Sequence, residues 1–214
     1  MTNTDPISRL AVQLQQPLPG RKAQYRMAHA VRQSTITPPA DARQAGVMAL
    51  LFPADDDWRL TLIRRTSHNP ADRHGGQISF PGGKREDEDT DLSQTALRET
   101  EEEIGVDAAD IRLLGKLSDL YIPVSNFLVH PYVGYLGYVP SFRPQASEVA
   151  QVITVPVTTL ITPDSRQLTD IAISSQLTLR DVPHYAVDSH VVWGATAMII
   201  SELVAVWEAA KQAS

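Results

Sequence analysis

Short apolar runs bounded by turn residues recur along the chain, and their composition is typical of β-strands. They are rich in Val, Ile, Leu and aromatic residues, and Gly, Pro, Asp and Ser cluster between them. The runs lie at 46–52, 58–66, 77–80, 111–117, 127–136, 152–155, 171–179 and 191–193. Between the first two runs, the letters PADDD predict a hairpin turn. The pattern therefore predicts a strand-rich chain.

Three other segments have helical spacing or composition. Residues 1–18 could form one amphipathic helix that Pro17 and Pro19 end. Its apolar side carries Ile7, Leu10, Ala11 and Leu14. The segment TDLSQTALRETEEEIG offers Asp91 or Ser93 as its N-cap and Gly105 as its end. A last helix is expected over 195–211. Several strands with few helices predict an α/β or α+β layered domain.

The length and composition suit one main domain. The chain has 214 residues, 43% of them apolar, which is enough for a sizeable core. We divide it into an N-terminal helix with an extended lead-in, residues 1–40, and a main domain, residues 41–214, because 21–43 is polar and proline-containing. No run approaches the roughly 18 apolar residues of a membrane span, and the N-terminus lacks a basic stretch followed by an apolar run. A cytoplasmic protein with no membrane partner is expected.

The net charge of −6 comes from one acidic segment. Residues 86–103 hold nine carboxylates and a single base, Arg98, whereas the rest of the chain has 18 bases and 16 acids. Such a segment is either a solvated face or a cation site. The absence of cysteine excludes disulfides, a cysteine nucleophile and a thiolate metal site. The lack of a clustered basic stripe disfavours nucleic-acid binding.

Three glutamates of the acidic segment share one stripe of the predicted helix. At about 100° per residue, Glu99, Glu102 and Glu103 fall within a stripe about 100° wide. The apolar side lies roughly opposite and carries Leu97, Thr100 and Ile104. A plain solvated face would normally interleave Lys or Arg, because like charges at these spacings repel. Oxygen-only ligands favour Mg²⁺ or Mn²⁺, which complete their shells with water and substrate phosphates. A substrate that contains phosphate is therefore expected.

The glycine pair in FPGGK is a second candidate part of this site. Gly82 and Gly83 would let the backbone approach the glutamates closely, and a carbonyl there could join a metal shell. An ordinary Pro-Gly turn is the alternative. Other catalytic signatures are missing: the sequence has no Gly-x-Ser-x-Gly elbow, Walker loop, Gly-x-Gly-x-x-Gly or His-Glu-x-x-His.

The run GGKREDEDTDLSQTALRETEEEIGV resembles the Nudix box, a signature of hydrolases that act on nucleoside diphosphates linked to another group. Its second half is complete, with Arg98, Glu99, Thr100, Glu102, Glu103, Gly105 and Val106 in their positions. In the first half, counted from Gly83, Asp89 stands at the glutamate position and one extra residue precedes Arg98. That aspartate and that spacing are similar to the coenzyme A pyrophosphatase branch of the family.

Two flanking segments resemble the same branch. The upstream segments are TLIRRT and HGGQISFPGG. In them, the residues at motif positions are Arg65, Gly76 and Phe80 to Gly83. The loop between the two upstream stretches is two residues longer than in the branch, and Asp72 stands at the position of a second arginine, with Arg73 beside it. Downstream, VVWGATAMI and SEVAQVITVPV are similar to the start of the branch's last helix and to the strand before it. The matches cover roughly residues 45–205.

The resemblance implies an α/β fold, a Nudix-type α/β/α sandwich with a mixed β-sheet. It also implies the reaction, in which coenzyme A and water give 3′,5′-adenosine diphosphate and 4′-phosphopantetheine. It assigns the metal ligands to Glu99, Glu102 and Glu103, with the Gly83 region contributing backbone. Arg98 would orient these carboxylates through charge-assisted hydrogen bonds.

Two carboxylates compete for the role of general base. Glu102 is the first choice. Glu148, in a Glu-Val-Ala position of the branch, is the second, and an exposed strand-edge charge is its alternative reading. Substrate contacts are expected beside the Phe-Pro-Gly-Gly turn from Arg65, Arg73, His74 and Gln77, whose alternative role is to stabilise the loop.

Three functions stay open on the sequence. The first is a coenzyme A pyrophosphatase that uses Mg²⁺ or Mn²⁺ and extends to coenzyme A thioesters. The second keeps the chemistry but takes ADP-ribose, a dinucleotide or a nucleoside triphosphate, because the upstream loop is longer and Arg73 is displaced. The third is a non-catalytic binding module, which the intact box carboxylates disfavour. The expected partner is a small nucleotide of the coenzyme A class, and a homodimer stays open.

Overall fold

The computed structural model describes residues 5–32, 37–66, 75–174 and 176–212. Its strands are β1 (Arg43–Ala54), β2 (Asp57–Arg65), β3 (Ile78–Ser79), β4 (Gly82–Lys84), β5 (Arg112–Lys116), β6 (Leu120–Ile122), β7 (Phe127–Tyr135), β8 (Val149–Pro156), β9 (Arg166–Ala172), β10 (Thr178–Val187) and β11 (His190–Trp193). Its α-helices are α1 (Pro6–Leu14), α2 (Arg21–Gln24), α3 (Leu92–Ile104), α4 (Val157–Ile161) and α5 (Gly194–Gln212).

The larger of two sheets has eight strands and is mixed. Its central strand order is β3-β2-β1-β7-β5. In addition, β4 pairs with β1, β6 pairs with β7, and β8 pairs with β2. β1 and β7 pair in parallel from Arg43 opposite Phe127 to Leu51 opposite Tyr135. The other pairs in this sheet are antiparallel. A second, antiparallel sheet has the order β11-β10-β9.

The central strand β1 is buried on both faces, which explains its nearly continuous apolar run. Met48, Leu50 and Phe52 belong to one core cluster together with residues of α3. Ala49 and Leu51 belong to another that contains residues of α5 and α1. Because side chains alternate along a strand, the sheet lies between α3 on one face and the terminal helices on the other. The predicted α/β/α sandwich is confirmed.

Local signals placed most elements correctly. Asp55 and Asp56 adopt φ values of 53° and 61° between β1 and β2, as in the tight hairpin turn that PADDD predicts. The first helix buries Ile7, Leu10 and Leu14 and is capped by Asp5, whose carboxylate accepts a hydrogen bond from the Ser8 N–H at 3.3 Å. The last helix spans nearly the predicted range.

The predicted strand at 171–179 is wrong. β9 ends at Ala172 and β10 begins at Thr178, and the hairpin between them closes with the Ile173 N–H donating to the Leu177 carbonyl at 2.8 Å. Ile173 and Leu177 are 47% and 51% exposed. These apolar residues therefore lie at a solvent-exposed hairpin tip and not in a buried strand. The lead-in also departs from the prediction, because it contains α2 and short 3₁₀ turns that bury Ala23 and Met27.

No helix in the described ranges is both long and apolar enough to span a membrane.

Candidate active site

The acidic helix α3 lies close to the sheet because a glycine faces its first turns. A Cβ added to Gly46 of β1 would stand 2.4 Å from the Leu92 carbonyl oxygen and 3.0 Å from the Ala96 nitrogen. Asp91 is the N-cap, since its carboxylate accepts hydrogen bonds from the N–H groups of Ser93 and Gln94 at 2.8 and 3.0 Å. The helix ends at a left-handed glycine, position 105, as predicted. The helix boundaries and the glycine contact together fix the positions of the glutamates relative to β4.

Glu103 is buried against the glycine turn. Its side chain is 1% exposed, and its Oε2 accepts a hydrogen bond from the Gly82 N–H at 2.8 Å. Its Oε1 lies 3.4 Å from Nη1 of Arg65, at the end of β2. Burial raises the pKa of Glu103 to about 7. The charges of Glu99 and Glu148 also raise this pKa, whereas the Gly82 N–H and Arg65 lower it. Residues from β2, β4 and α3 therefore meet at this carboxylate.

Glu99 occupies the space that a side chain at position 83 would fill. A Cβ built on Gly83 would lie 2.4 Å from the Glu99 carboxyl carbon, so only glycine allows this approach. The Glu99 side chain is 14% exposed. Burial is the largest cause of its raised pKa, Arg98 opposes the shift, and the charges of Glu102 and Glu148 reinforce it. Carboxylates of α3 and of Glu148, the residue before β8, thus interact with Glu99 beside the backbone of Gly83.

Arg98 joins the acidic loop to the helix stripe. Its Nε and Nη2 contact the two carboxylate oxygens of Asp89 at 3.0 and 3.1 Å. Its Nη1 donates to Glu99 Oε1 and to Glu102 Oε2, both at 3.0 Å. Its Nη2 also reaches the Lys84 carbonyl at 3.3 Å. These hydrogen bonds raise the pKa of Arg98, with that to Asp89 as the largest cause, so the guanidinium is a fixed positive charge between the loop and two glutamates.

Asp89 has a positioning role that the sequence did not reveal beyond its place in the motif. It is 3% exposed, and its Oδ2 also accepts from the Glu86 N–H at 2.9 Å and from the Thr95 hydroxyl at 2.8 Å. The bidentate contact with Arg98, helped by these further hydrogen bonds and opposed by burial, holds the pKa of Asp89 well below its usual value. The signal in the sequence was the spacing between Asp89 and Arg98.

The other predicted residues lie around the same turn or outside the described residues. Glu148 is exposed just before β8, its carbonyl accepts from the Thr66 N–H at 2.8 Å, and its charge reaches Glu99 and Glu103. The carbonyl of Gln77 accepts from the Arg65 N–H at 3.0 Å. Arg73 and His74 lie outside the described residues.

The donor set suits a hard divalent cation. The candidate ligands are all oxygens, Gly83 brings its backbone close to the Glu99 carboxylate, and the buried charge of Glu103 is one that a cation would stabilise. Within the described ranges, no three Asp, Glu, His or Cys groups are gathered as a ready-made metal cage. An ion at this site would therefore complete its shell with other oxygens, as Mg²⁺ usually does with water and phosphate.

Comparison with known proteins identifies the family. Residues 42–172 match the family model described as NUDIX domain. The chain belongs to the Nudix family. A Photorhabdus laumondii protein named "Uncharacterized Nudix hydrolase NudL" is 32% identical over 155 residues, which cover 72% of this chain and 81% of the relative. A Pectobacterium atrosepticum protein of the same name is 31% identical over 169 residues, or 79% and 85% of the two chains.

The Nudix assignment agrees with the fold. A solved NUDIX hydrolase from Alicyclobacillus acidocaldarius superposes with a TM-score of 0.52 at 16% identity, over 77% of this chain and 92% of that one. At that identity the likeness concerns the fold alone. The predictions of a Nudix fold and of a hydrolase acting on a phosphoric anhydride bond are confirmed. Nudix hydrolases generally use divalent ions such as Mg²⁺ or Mn²⁺.

Proposed function

We propose that this Nudix hydrolase cleaves coenzyme A, and its thioesters, to 3′,5′-adenosine diphosphate and 4′-phosphopantetheine. The observation that carries the proposal is the meeting of Arg65 and the Phe80–Gly83 turn at Glu103, since Gly82 and Arg65 both contact that carboxylate. Arg65 and the turn belong to the upstream motif that resembles the coenzyme A branch, whereas Glu103 belongs to the Nudix box. This contact supports the proposal because it brings residues of the branch-like motif next to a glutamate of the Nudix box.

The residues around Gly83 supply what pyrophosphate hydrolysis requires. A divalent cation bound by Glu99, Glu102, Glu103 and the Gly83 backbone would neutralise charge on the non-bridging oxygens of the pyrophosphate. The Arg65 side chain is 31% exposed and lies beside Glu103, so its guanidinium could also contact the pyrophosphate oxygens. Arg98 holds two of the three glutamates in place through a guanidinium that Asp89 fixes.

The attacking water needs a general base within hydrogen-bond reach, and a carboxylate without a cationic partner is the better acceptor for its proton. Glu102 is 57% exposed, but Arg98 donates a hydrogen bond to its carboxylate. Glu148 is exposed and has no ion-pair partner among the described residues, and its charge reaches both Glu99 and Glu103. We assign the general base to Glu148 and a metal-ligand role to Glu102. Glu148→Gln should lower kcat with little change in divalent-ion affinity, whereas Glu102→Gln should lower both.

One observation favours a second substrate class. The segment between β2 and β3 departs from the branch spacing by two residues and displaces Arg73 from the position of the second arginine. An altered loop beside Arg65 would suit another nucleoside diphosphate derivative, such as ADP-ribose or a dinucleotide. The same hydrolytic residues would serve it.

Product analysis tests the proposal. The protein is incubated with coenzyme A and Mg²⁺ or Mn²⁺, and the products are separated and weighed by mass spectrometry. Masses of 3′,5′-adenosine diphosphate and 4′-phosphopantetheine support the proposal, and ¹⁸O-labelled water shows which phosphorus is attacked. Intact coenzyme A beside cleaved ADP-ribose or dinucleotide would instead support the second class. Protein with Glu103→Gln serves as the control for contaminating hydrolases.

A further inference from the structure

A pocket adjoins the glycine turn at Lys84, the residue that follows Gly83. It has a volume of about 330 Å³ and is lined by Gln44, Lys84, Arg85, Glu86 and Asp87. That volume lies at the lower end of small-molecule sites, about 300–1,000 Å³. Lys84 directly follows Gly83, so its Cα is about 3.8 Å from the glycine Cα beside the candidate metal ligands. A substrate whose pyrophosphate lies at Gly83 can therefore extend a neighbouring group into this pocket.

Neither basic side chain of the pocket forms an ion pair within the described residues, although the charge of Arg85 interacts with the nearby Asp91. Lys84 donates no side-chain hydrogen bond and forms no ion pair within the described part of the chain. Nη2 of Arg85 donates to the carbonyl oxygens of Asp89 and Thr90 at 3.1 and 3.5 Å, and no carboxylate in the described ranges lies within ion-pair distance of it. Main-chain carbonyls thus orient the arginine and leave it without a carboxylate in direct contact.

The wall of the pocket is held rigid by backbone contacts on both sides. The Arg85 N–H donates to the Gln44 carbonyl of β1 at 3.0 Å, and the Lys84 carbonyl accepts from Arg98. The Glu86 N–H donates to Asp89, which Arg98 also holds. Because these contacts already fix the wall of the pocket, little conformational entropy is lost when a ligand binds.

The mixed lining selects a ligand that offers an anion beside hydroxyl groups. Lys84 and Arg85 suit phosphate oxygens, the lysine as a point charge and the arginine as an oriented donor. Glu86 and Asp87 would repel an isolated anion, but a carboxylate is a good acceptor for a ribose hydroxyl. A ribose that carries its own phosphate has both groups on adjacent carbons.

We propose that this pocket binds the phosphorylated ribose of the substrate, with Lys84 and Arg85 contacting its 3′-phosphate. The inference rests on the proposed function, because coenzyme A carries this phosphate whereas ADP-ribose and simple dinucleotides do not. It makes Lys84 and Arg85 the residues that discriminate coenzyme A from its 3′-dephospho form.

The experiment compares kcat/KM for coenzyme A and 3′-dephospho-coenzyme A in the wild type, Lys84→Gln and Arg85→Gln. The wild type is expected to favour coenzyme A by about tenfold or more, the effect of one hydrogen bond to a charged group. Each variant should reduce that ratio several-fold. Lys22→Gln, an exposed lysine on α2, removes the same charge elsewhere and should keep the wild-type ratio. Calorimetric binding of 3′,5′-adenosine diphosphate against adenosine 5′-monophosphate should show the same discrimination without turnover.

The possible outcomes separate the two proposals. A wild type that cleaves both compounds equally overturns the ribose-phosphate site and leaves the proposed function standing. A preference that survives both substitutions also overturns it, because the phosphate is then recognised elsewhere. Cleavage of neither compound overturns the proposed function, and the site with it. If Arg85→Gln disturbs the loop, as circular dichroism would reveal, Lys84→Gln alone decides, since its side chain holds no part of the loop.

Discussion

The carboxylate of Glu202 accepts two hydrogen bonds from a single residue, Ser118. The serine hydroxyl donates to Oε1 at 2.6 Å and the serine N–H to Oε2 at 3.2 Å. Glu202 lies fully buried on α5, and the Gly20 N–H and the Gln24 amide donate to the same carboxylate at 3.0 and 2.9 Å. One buried anion therefore joins the N-terminal segment, the turn after β5 and the last helix.

Glu202→Gln should destabilise the protein by about 2–3 kcal/mol, because an amide NH₂ group would face existing donors and buried hydrogen bonds to a charge would be lost. Ser118→Ala removes only the hydroxyl and should cost about 1–2 kcal/mol. Urea unfolding at pH 7 measures both. Glu208→Gln, half-buried on the same helix, is the matched control and should change stability by less than about 0.5 kcal/mol. Equal effects at both glutamates would contradict the special role of Glu202.

Asp89→Asn should lower both activity and stability. The neutral amide cannot hold Arg98 by two charge-assisted bonds, so Glu99 and Glu102 lose a fixed partner, and stability falls by about 2 kcal/mol at pH 7. The pKa of Asp89 is depressed in the folded state, so its contribution is present above its unfolded pKa of 3.8 and is lost as pH falls through the lower folded value. The stability difference between wild type and variant should therefore shrink below pH 3.8.

Denaturant titrations between pH 2 and 7 would follow that difference. Asp87→Asn, an exposed aspartate in the same loop, controls for loss of charge alone. A difference that stays constant down to the lowest pH would show that the ionised form of Asp89 is not what stabilises the fold.

Gly83→Ala should impair catalysis while leaving the fold intact. The added methyl group would overlap the Glu99 carboxyl group, so Glu99 must move by about an ångström, a displacement that costs on the order of 100-fold in rate. Gly137→Ala makes the same substitution where nothing lies within 4 Å and should be silent. Steady-state kinetics and thermal melts of both variants measure the effect. Full activity in Gly83→Ala would exclude a close approach of Glu99 to the backbone at this site.

Glu103→Gln should separate stability from function. Burial opposes ionisation of Glu103, so a neutral isostere that still accepts from the Gly82 N–H should raise the melting temperature in chelator. Divalent-ion affinity should fall about 10- to 100-fold, by Mn²⁺ calorimetry, and turnover should be lost. Glu101→Gln, on the outer side of the same helix, should keep both properties. Unchanged Mn²⁺ binding in Glu103→Gln would remove Glu103 from the ligand set.

The sequence by itself determined the elements whose causes are local. Asp91 and Gly105 bound the acidic helix through capping geometry, and paired aspartates with positive φ form the turn between β1 and β2. Helical periodicity predicted that the glutamates share one stripe of α3. The second half of the Nudix box was recognised from the identity and spacing of its residues. These features depend on neighbours within a few positions, so a pattern is sufficient to predict them.

Only the tertiary structure decided what each of these faces meets. Glu103 and Gly82 are 21 positions apart and Arg65 lies on another strand, so their contact depends on how β2, β4 and α3 pack. Glu202 interrupts the most apolar helix, and only the fold shows that donors from two distant segments converge on it. Periodicity tells which side of an element is apolar or charged. The partner of that side is fixed by long-range packing, which couples residues that no local pattern connects.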